Sequence, residues 1–250
     1  RYQISTNDAA VMLVVISTFL FGWRLPLTVT QLLVINILMD GPPAVALGIE
    51  KRHADVMNEP PRPLDESLPN SSDRGLILML GMFMFIGTAA VFWFAGGGIV
   101  TSEEPCTEYD GDIDEAYFDS DGNCVESDWK EDAEERFEHA QTMAFSVFIL
   151  FQLFNVINCR STDRSIFQLG LFNNKAITIS FVISTVFLLF LVEGASISVP
   201  FIDLKIGDLL SVTDLEFADW LVVFATASSV FFFDEVRKLI QRSQKLERNR

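Results

Sequence analysis

The chain has 250 residues, half of them hydrophobic, with 23 Phe and a formal net charge of −16 from 34 acidic and 18 basic residues. It is too apolar for an ordinary soluble domain of this charge, which points to a protein embedded in a lipid bilayer. The acid excess is local, with sixteen acidic residues between Thr101 and His139 against Lys130 and Arg136, and no basic face of a size that binds nucleic acid is present.

Six apolar segments are predicted as membrane spans, over 2–23, 27–49, 76–100, 140–158, 176–192 and 217–233. The first has its apolar core from Ala9 to Trp23. The stretch from Arg1 to Asn7 has no signal-peptide pattern. The chain has no initiating Met and starts almost inside a hydrophobic segment, so it reads as a fragment whose first helix continues upstream. Asn7 and Asp8 interrupt that helix. They read either as a polar entry at the interface or, for Asn7, as an accessory ligand facing the bundle. Gly22 to Pro26 forms a short turn with an interfacial Trp23.

The second span carries Asn36-Ile37-Leu38-Met39-Asp40-Gly41-Pro42-Pro43-Ala44 in its middle. A carboxylate at that depth marks a functional site by default, because burying it in a bilayer is costly. Asn36 and Asp40 are four apart, a spacing that stacks them on one helical face. Pro42 and Pro43 have no N–H to give, so the carbonyls of Leu38 and Met39 lose their usual donors. Gly41 lets the backbone leave the helix. The prediction is a broken helix offering oxygen ligands, a set that suits a hard cation such as Ca²⁺. The competing reading is a Pro-kinked packing helix with an Asn–Asp hydrogen bond.

A polar loop follows, with Lys51, Arg52, His53, Arg62 and Arg74; its basic residues favour the cytoplasmic side, and His53 reads as a solvated loop residue. In the third span, Gly81, Gly87 and Ala90 are small enough for close helix packing. The acidic segment 101–139 has fragments of calcium-loop spacing, but no frame places Gly at position six and Glu at position twelve. It reads as a solvated acidic surface. Cys106 and Cys124 lie within it, either bridged or as two free thiols. Gln152, inside the fourth span, either bonds across helices or adds an oxygen to the site. Basic residues recur after that span and again in the tail with Arg237, Lys238, Arg242, Lys245, Arg248 and Arg250, which reads as a cytoplasmic helix near anionic lipid. Basic loops after the second, fourth and sixth spans put both ends of the chain in the cytoplasm and the Cys-bearing acidic loop outside.

Asn36 through Ala44 resembles the sixth transmembrane helix of the calcium-transporting P-type ATPases. Met57-Asn58-Glu59-Pro60-Pro61-Arg62 is similar to the loop after it. Asn155 with Cys159-Arg160-Ser161, Ser165-Ile166-Phe167 and Asn173-Asn174-Lys175 resembles the stretch after the eighth helix, and Asp234-Glu235-Val236-Arg237-Lys238 resembles the end of the tenth. The likeness covers essentially all of 1–250 and is strongest to the secretory-pathway calcium/manganese pumps and their prokaryotic relatives. It implies an all-α membrane bundle of six transmembrane helices, equivalent to the fifth to tenth of a ten-helix pump. It implies cation ligands at Asn36 and Asp40, with Asn7 carried over from the fifth helix and Gln152 standing where a two-site pump has a Glu. Ala10 and Met39 also replace oxygen-bearing residues of the two-site pumps, which implies one site for Ca²⁺ or Mn²⁺.

The resemblance further implies partners that this chain lacks: the first four helices with their carboxylate, the actuator, and the phosphorylation and nucleotide domains through which Mg-ATP acts. The loop after Glu50 is an expected contact for the phosphorylation domain. This chain by itself is then not catalytic. The implied location is the plasma membrane of a prokaryote. An ion-coupled secondary transporter or channel, a Na⁺-transporting P-type ATPase and a non-transporting membrane scaffold are the alternatives.

Overall fold

A computed structural model describes residues 1–50, 71–97, 117–118, 124–125, 128–161, 165–170, 173–199 and 204–248. The long helices are α1 (Tyr2–Phe19), α4 (Ser71–Phe94), α5 (Asp128–Asn158), α7 (Lys175–Glu193) and α9 (Phe217–Arg248). The second apolar segment is split into α2 (Val29–Val34), a π-helical turn at Ile35–Met39, and α3 (Gly41–Gly48). Short helices α6 (Ile166–Leu169) and α8 (Ile206–Leu210) lie in connections. Two antiparallel pairs, β1 (Tyr117–Phe118) with β2 (Cys124–Val125) and β3 (Ser198–Val199) with β4 (Leu204–Lys205), complete the described elements.

Among the described residues five helical stretches are long and apolar enough to cross a membrane: Val29–Gly48, Asp73–Phe94, Glu134–Asn158, Lys175–Glu193 and Phe217–Gln244. The first helix, α1, has a polar first half with Gln3, Ser5, Thr6, Asn7 and Asp8. An all-α membrane domain is the result.

The bundle is built round α5. From Ala144 to Leu153 its residues are buried on every side, including Phe145, Phe148 and Phe151. A helix apolar all round belongs in the centre of its bundle, and α5 packs against α9, α4, α7, α1 and α3. Helix α4 is two-faced without being amphipathic. In α4, Leu80, Met84 and Phe92 face inward while Leu78, Met82 and Ile86 face outward, apolar on both sides. Water would penalise that outer face; lipid does not, so close packing rather than hydrophobic exclusion must hold the helices together. Two of the expected small residues serve this. A Cβ on Gly81 would come within 3.1 Å of the Ser5 carbonyl of α1, and one on Gly87 would come within 2.5 Å of the Phe151 ring of α5.

At the opposite end from α3, Trp23 lies 4.9 Å from Phe21 and 5.1 Å from Trp93, ring centre to ring centre. Arg24 sits 3.9 Å over the Phe137 ring. The pairing of Cys106 with Cys124 and the position of His53 lie outside the described residues.

Candidate cation site

The prolines set the local structure of the second segment. Pro42 and Pro43 lie in the first turn of α3, where a helix has no internal partner for the N–H they lack. The chain reaches that new start through the π-turn, in which the Asp40 N–H bonds to the Ile35 carbonyl at 2.9 Å, five residues back. One wide turn thus joins two helical halves, a geometry common at functional positions. The halves are held by different parts of the bundle. Thr28 and Gln31 form a capping box at the start of α2, and the Gln31 amide also donates to the carbonyls of Leu210 and Ser211, both at 3.0 Å. The half after the break, α3, packs on α7 and α5.

Asp40 lies at the junction and is buried. Its Oδ1 accepts a hydrogen bond from the Tyr2 hydroxyl at 3.1 Å. Tyr2 is itself buried, in a cluster with Ala46, Val156 and Ile177. Among the described residues no cation stands within ion-pair reach of Asp40. Polar groups continue along α1: the Ser5 hydroxyl donates to the Tyr2 carbonyl at 2.9 Å and accepts from the Asn155 amide at 2.9 Å. The Thr6 hydroxyl returns to the Tyr2 and Gln3 carbonyls. Asn155, Ser5, Tyr2 and Asp40 therefore lie along one polar path running from α5 through α1 to the break.

The residues singled out from sequence occupy three kinds of place. Asp40 is buried with the one neutral donor. Gln152 is buried, and its Oε1 finds no hydrogen-bond partner among the described residues. Buried polar atoms are ordinarily paired, so such an orphan needs a reason. Asn7 and Asn36 are exposed, off the faces that α1 and the π-turn bury. Among the described residues no three His, Cys, Asp or Glu side chains come together as a metal centre. Sequence reasoning missed Tyr2 and Ser5. The available signal was a tyrosine at the polar end of a span, since a buried phenol needs an acceptor.

The family model for the cation-transporting ATPase C-terminus matches residues 24–240. The chain belongs to this family. It is similar to calcium-transporting ATPase 1 of Schizosaccharomyces pombe, at 31% identity over 249 residues, covering 100% of this chain and 23% of the relative. It is similar to calcium-transporting ATPase 1 of Saccharomyces cerevisiae, at 31% over 248 residues, covering 98% of this chain and 21% of the relative. It is also similar to calcium-transporting ATPase type 2C member 2 of Rattus norvegicus, at 30% over 242 residues, covering 97% of this chain and 21% of the relative. The chain thus spans about a fifth of the length of the curated relatives it matches. Membership places this integral membrane bundle at the C-terminus of cation-transporting ATPases.

Proposed function

We propose that this chain is the C-terminal transport part of an ATP-driven pump that moves Ca²⁺ or Mn²⁺ through a single site at the break around Asp40. The observation that carries the reading is a buried carboxylate at a helix break, bonded to one neutral hydroxyl. A bare carboxylate in such a place is costly, and a hard divalent cation is the partner that best offsets that cost. The names of the relatives, calcium-transporting ATPases, favour the same cargo.

In this reading Asp40 supplies the charge, and Asn36 and Asn7 supply amide oxygens from exposed positions that other helices of the pump would cover. Gln152 contributes its unpartnered Oε1. Missing ligands, among them a further carboxylate, come from the preceding helices. Phosphorylation in the missing domains shifts the helices, weakens the site and releases the ion outside. A proton on Asp40 is the expected counter-ion, because the empty site still has to neutralise the carboxylate. Both ends of this chain face the cytoplasm, by the distribution of basic loops. The relatives named above are from yeasts and rat, so a prokaryotic plasma membrane is a proposal that fractionation of the source cells would test.

Asp40→Asn in the whole pump is the deciding experiment. Transport of Ca²⁺ and Mn²⁺ should fall at least about a hundredfold, consistent with loss of a charged ligand worth several kcal/mol. Unchanged calcium-dependent transport would remove Asp40 from the site.

A further inference from the structure

The end of α3 away from the break is held by a second polar assembly that no part of the ion-site reading uses. Glu50, just past α3, takes a two-pronged grip from Arg160, which follows α5: Nε to Oε2 at 3.1 Å and Nη2 to Oε1 at 2.9 Å. The Asn174 amide donates to the same carboxylate at 2.7 Å and to the Ala46 carbonyl at 3.3 Å. Asn174 is also the cap of α7, its Oδ1 accepting from the N–H groups of Ala176 and Ile177. The third arm of Arg160 donates to the Gly170 carbonyl at 3.1 Å. The Arg160 side chain is only 1% exposed. One carboxylate thus ties the end of α3 to the end of α5 and the start of α7.

Forked guanidinium–carboxylate pairs fix orientation as well as distance, which a lysine or a single hydrogen bond does not. Glu50 lies ten residues beyond Asp40, about 15 Å along a helix. Gln31 anchors the other half of the segment to the carbonyls of Leu210 and Ser211. The π-turn and Asp40 lie between these two anchors. A turn or slide of α3 at its far end would be passed to Asp40 and its 3.1 Å bond to Tyr2.

We propose that Glu50, Arg160 and Asn174 are positioning residues for the cation site, setting the height and rotation of α3 and so the place of the Asp40 carboxylate. The proposal rests on the reading of Asp40 as a cation ligand. These residues act through Asp40 and do not touch the ion. Their loss should raise the half-saturating cation concentration and change the maximal rate much less.

The test uses the whole pump carrying this chain, with Ca²⁺ and Mn²⁺ titrated against ATP hydrolysis and transport for Glu50→Gln, Arg160→Gln, the double variant and Arg160→Lys, with Asp40→Asn in parallel. Each single Gln variant should raise the half-saturating concentration about tenfold. The double variant should be no worse than the worse single, since both break one contact. Arg160→Lys should recover little, because it restores charge without the fork. Normal half-saturation in properly folded Glu50→Gln and Arg160→Gln pumps, with Asp40→Asn inactive, overturns the positioning role and leaves the ion site standing. Variants that lower only the amount of folded pump also overturn it. An Asp40→Asn pump with normal cation dependence sinks the site reading itself, and the positioning role with it.

Discussion

Two buried acidic places in this bundle are built on opposite terms. Midway along α9, Asp234 pairs with Arg237 at 2.7 Å and with Lys238 at 2.9 Å. Glu235 pairs with Lys238 at 3.1 Å and also accepts from the Ser165 hydroxyl and the Ile166 N–H. Lys238 adds a contact to the Asn158 carbonyl, and its side chain is fully buried. At the break, Asp40 has the Tyr2 hydroxyl and no cation among the described residues. A buried charge matched by opposite charge and hydrogen bonds can remain as structure. A buried carboxylate left with one neutral donor is poised for a ligand that brings charge. Burial does not separate the two places; the completeness of their partners does.

That contrast breaks most visibly if the paired cluster is damaged. Lys238→Met leaves Asp234 with Arg237 and Glu235 with the neutral donors of Ser165 and Ile166, and should cost ~3–5 kcal/mol, seen as a large fall in the unfolding midpoint of the detergent-solubilised protein. A midpoint close to that of the parent would show that the cluster is not what holds α9 and α5 together there. Asp40→Asn should behave in the opposite way. It removes the uncompensated charge, so stability without added ion should hold within ~1 kcal/mol or rise, although cation dependence is lost. A fall as large as that of Lys238→Met would make Asp40 a structural residue.

A smaller effect tests the proposed site. Tyr2→Phe keeps the ring against Ala46, Val156 and Ile177 and deletes the donor to Asp40. It should cost ~1 kcal/mol without ion, and saturating Ca²⁺ should narrow the gap if the cation takes over the neutralisation of Asp40. An equal deficit with and without Ca²⁺ would argue against that exchange. The smallest effect is at Cys159, beyond the end of α5. Burial pushes its thiol up to about 11, so below that pH the neutral form dominates and little thiolate is present. Alkylation of Cys159 in the folded protein should be slow at pH 8 and rise only as the pH approaches that value, as mass mapping would reveal. Rapid labelling at pH 8 would mean that the thiol is reached by solvent.

Much of the architecture was legible because the bilayer imposes long apolar runs, and those runs are visible one residue at a time. The break was legible from Gly41, Pro42 and Pro43, whose chemistry is local. Its form was not: a Pro pair allows a kink, a loop or a π-turn, and the choice depends on how the flanking halves are anchored. Helix ends were also poorly marked. The last predicted span, 217–233, continues in α9 to Arg248, because Asp234, Glu235 and Lys238 turn inward to satisfy one another while Val236, Leu239 and Ile240 face outward. From the sequence, Lys238 reads as part of a cytoplasmic helix near anionic lipid and Arg160 as part of a basic cytoplasmic loop. Both are buried, since their partners bring enough charge and hydrogen bonding to make burial tolerable.

The sequence alone determined that the chain lives in a membrane, that its second apolar segment must break near Asp40, and that this carboxylate is costly where it stands. These follow from composition, spacing and the missing N–H of proline. Only the tertiary structure decided which charges are matched. Tyr2 meets Asp40 across 38 positions, Arg160 meets Glu50 across 110, and Ser165 meets Glu235 across 70. Such pairings are fixed by how the helices stand around α5, and a linear pattern carries no record of that arrangement.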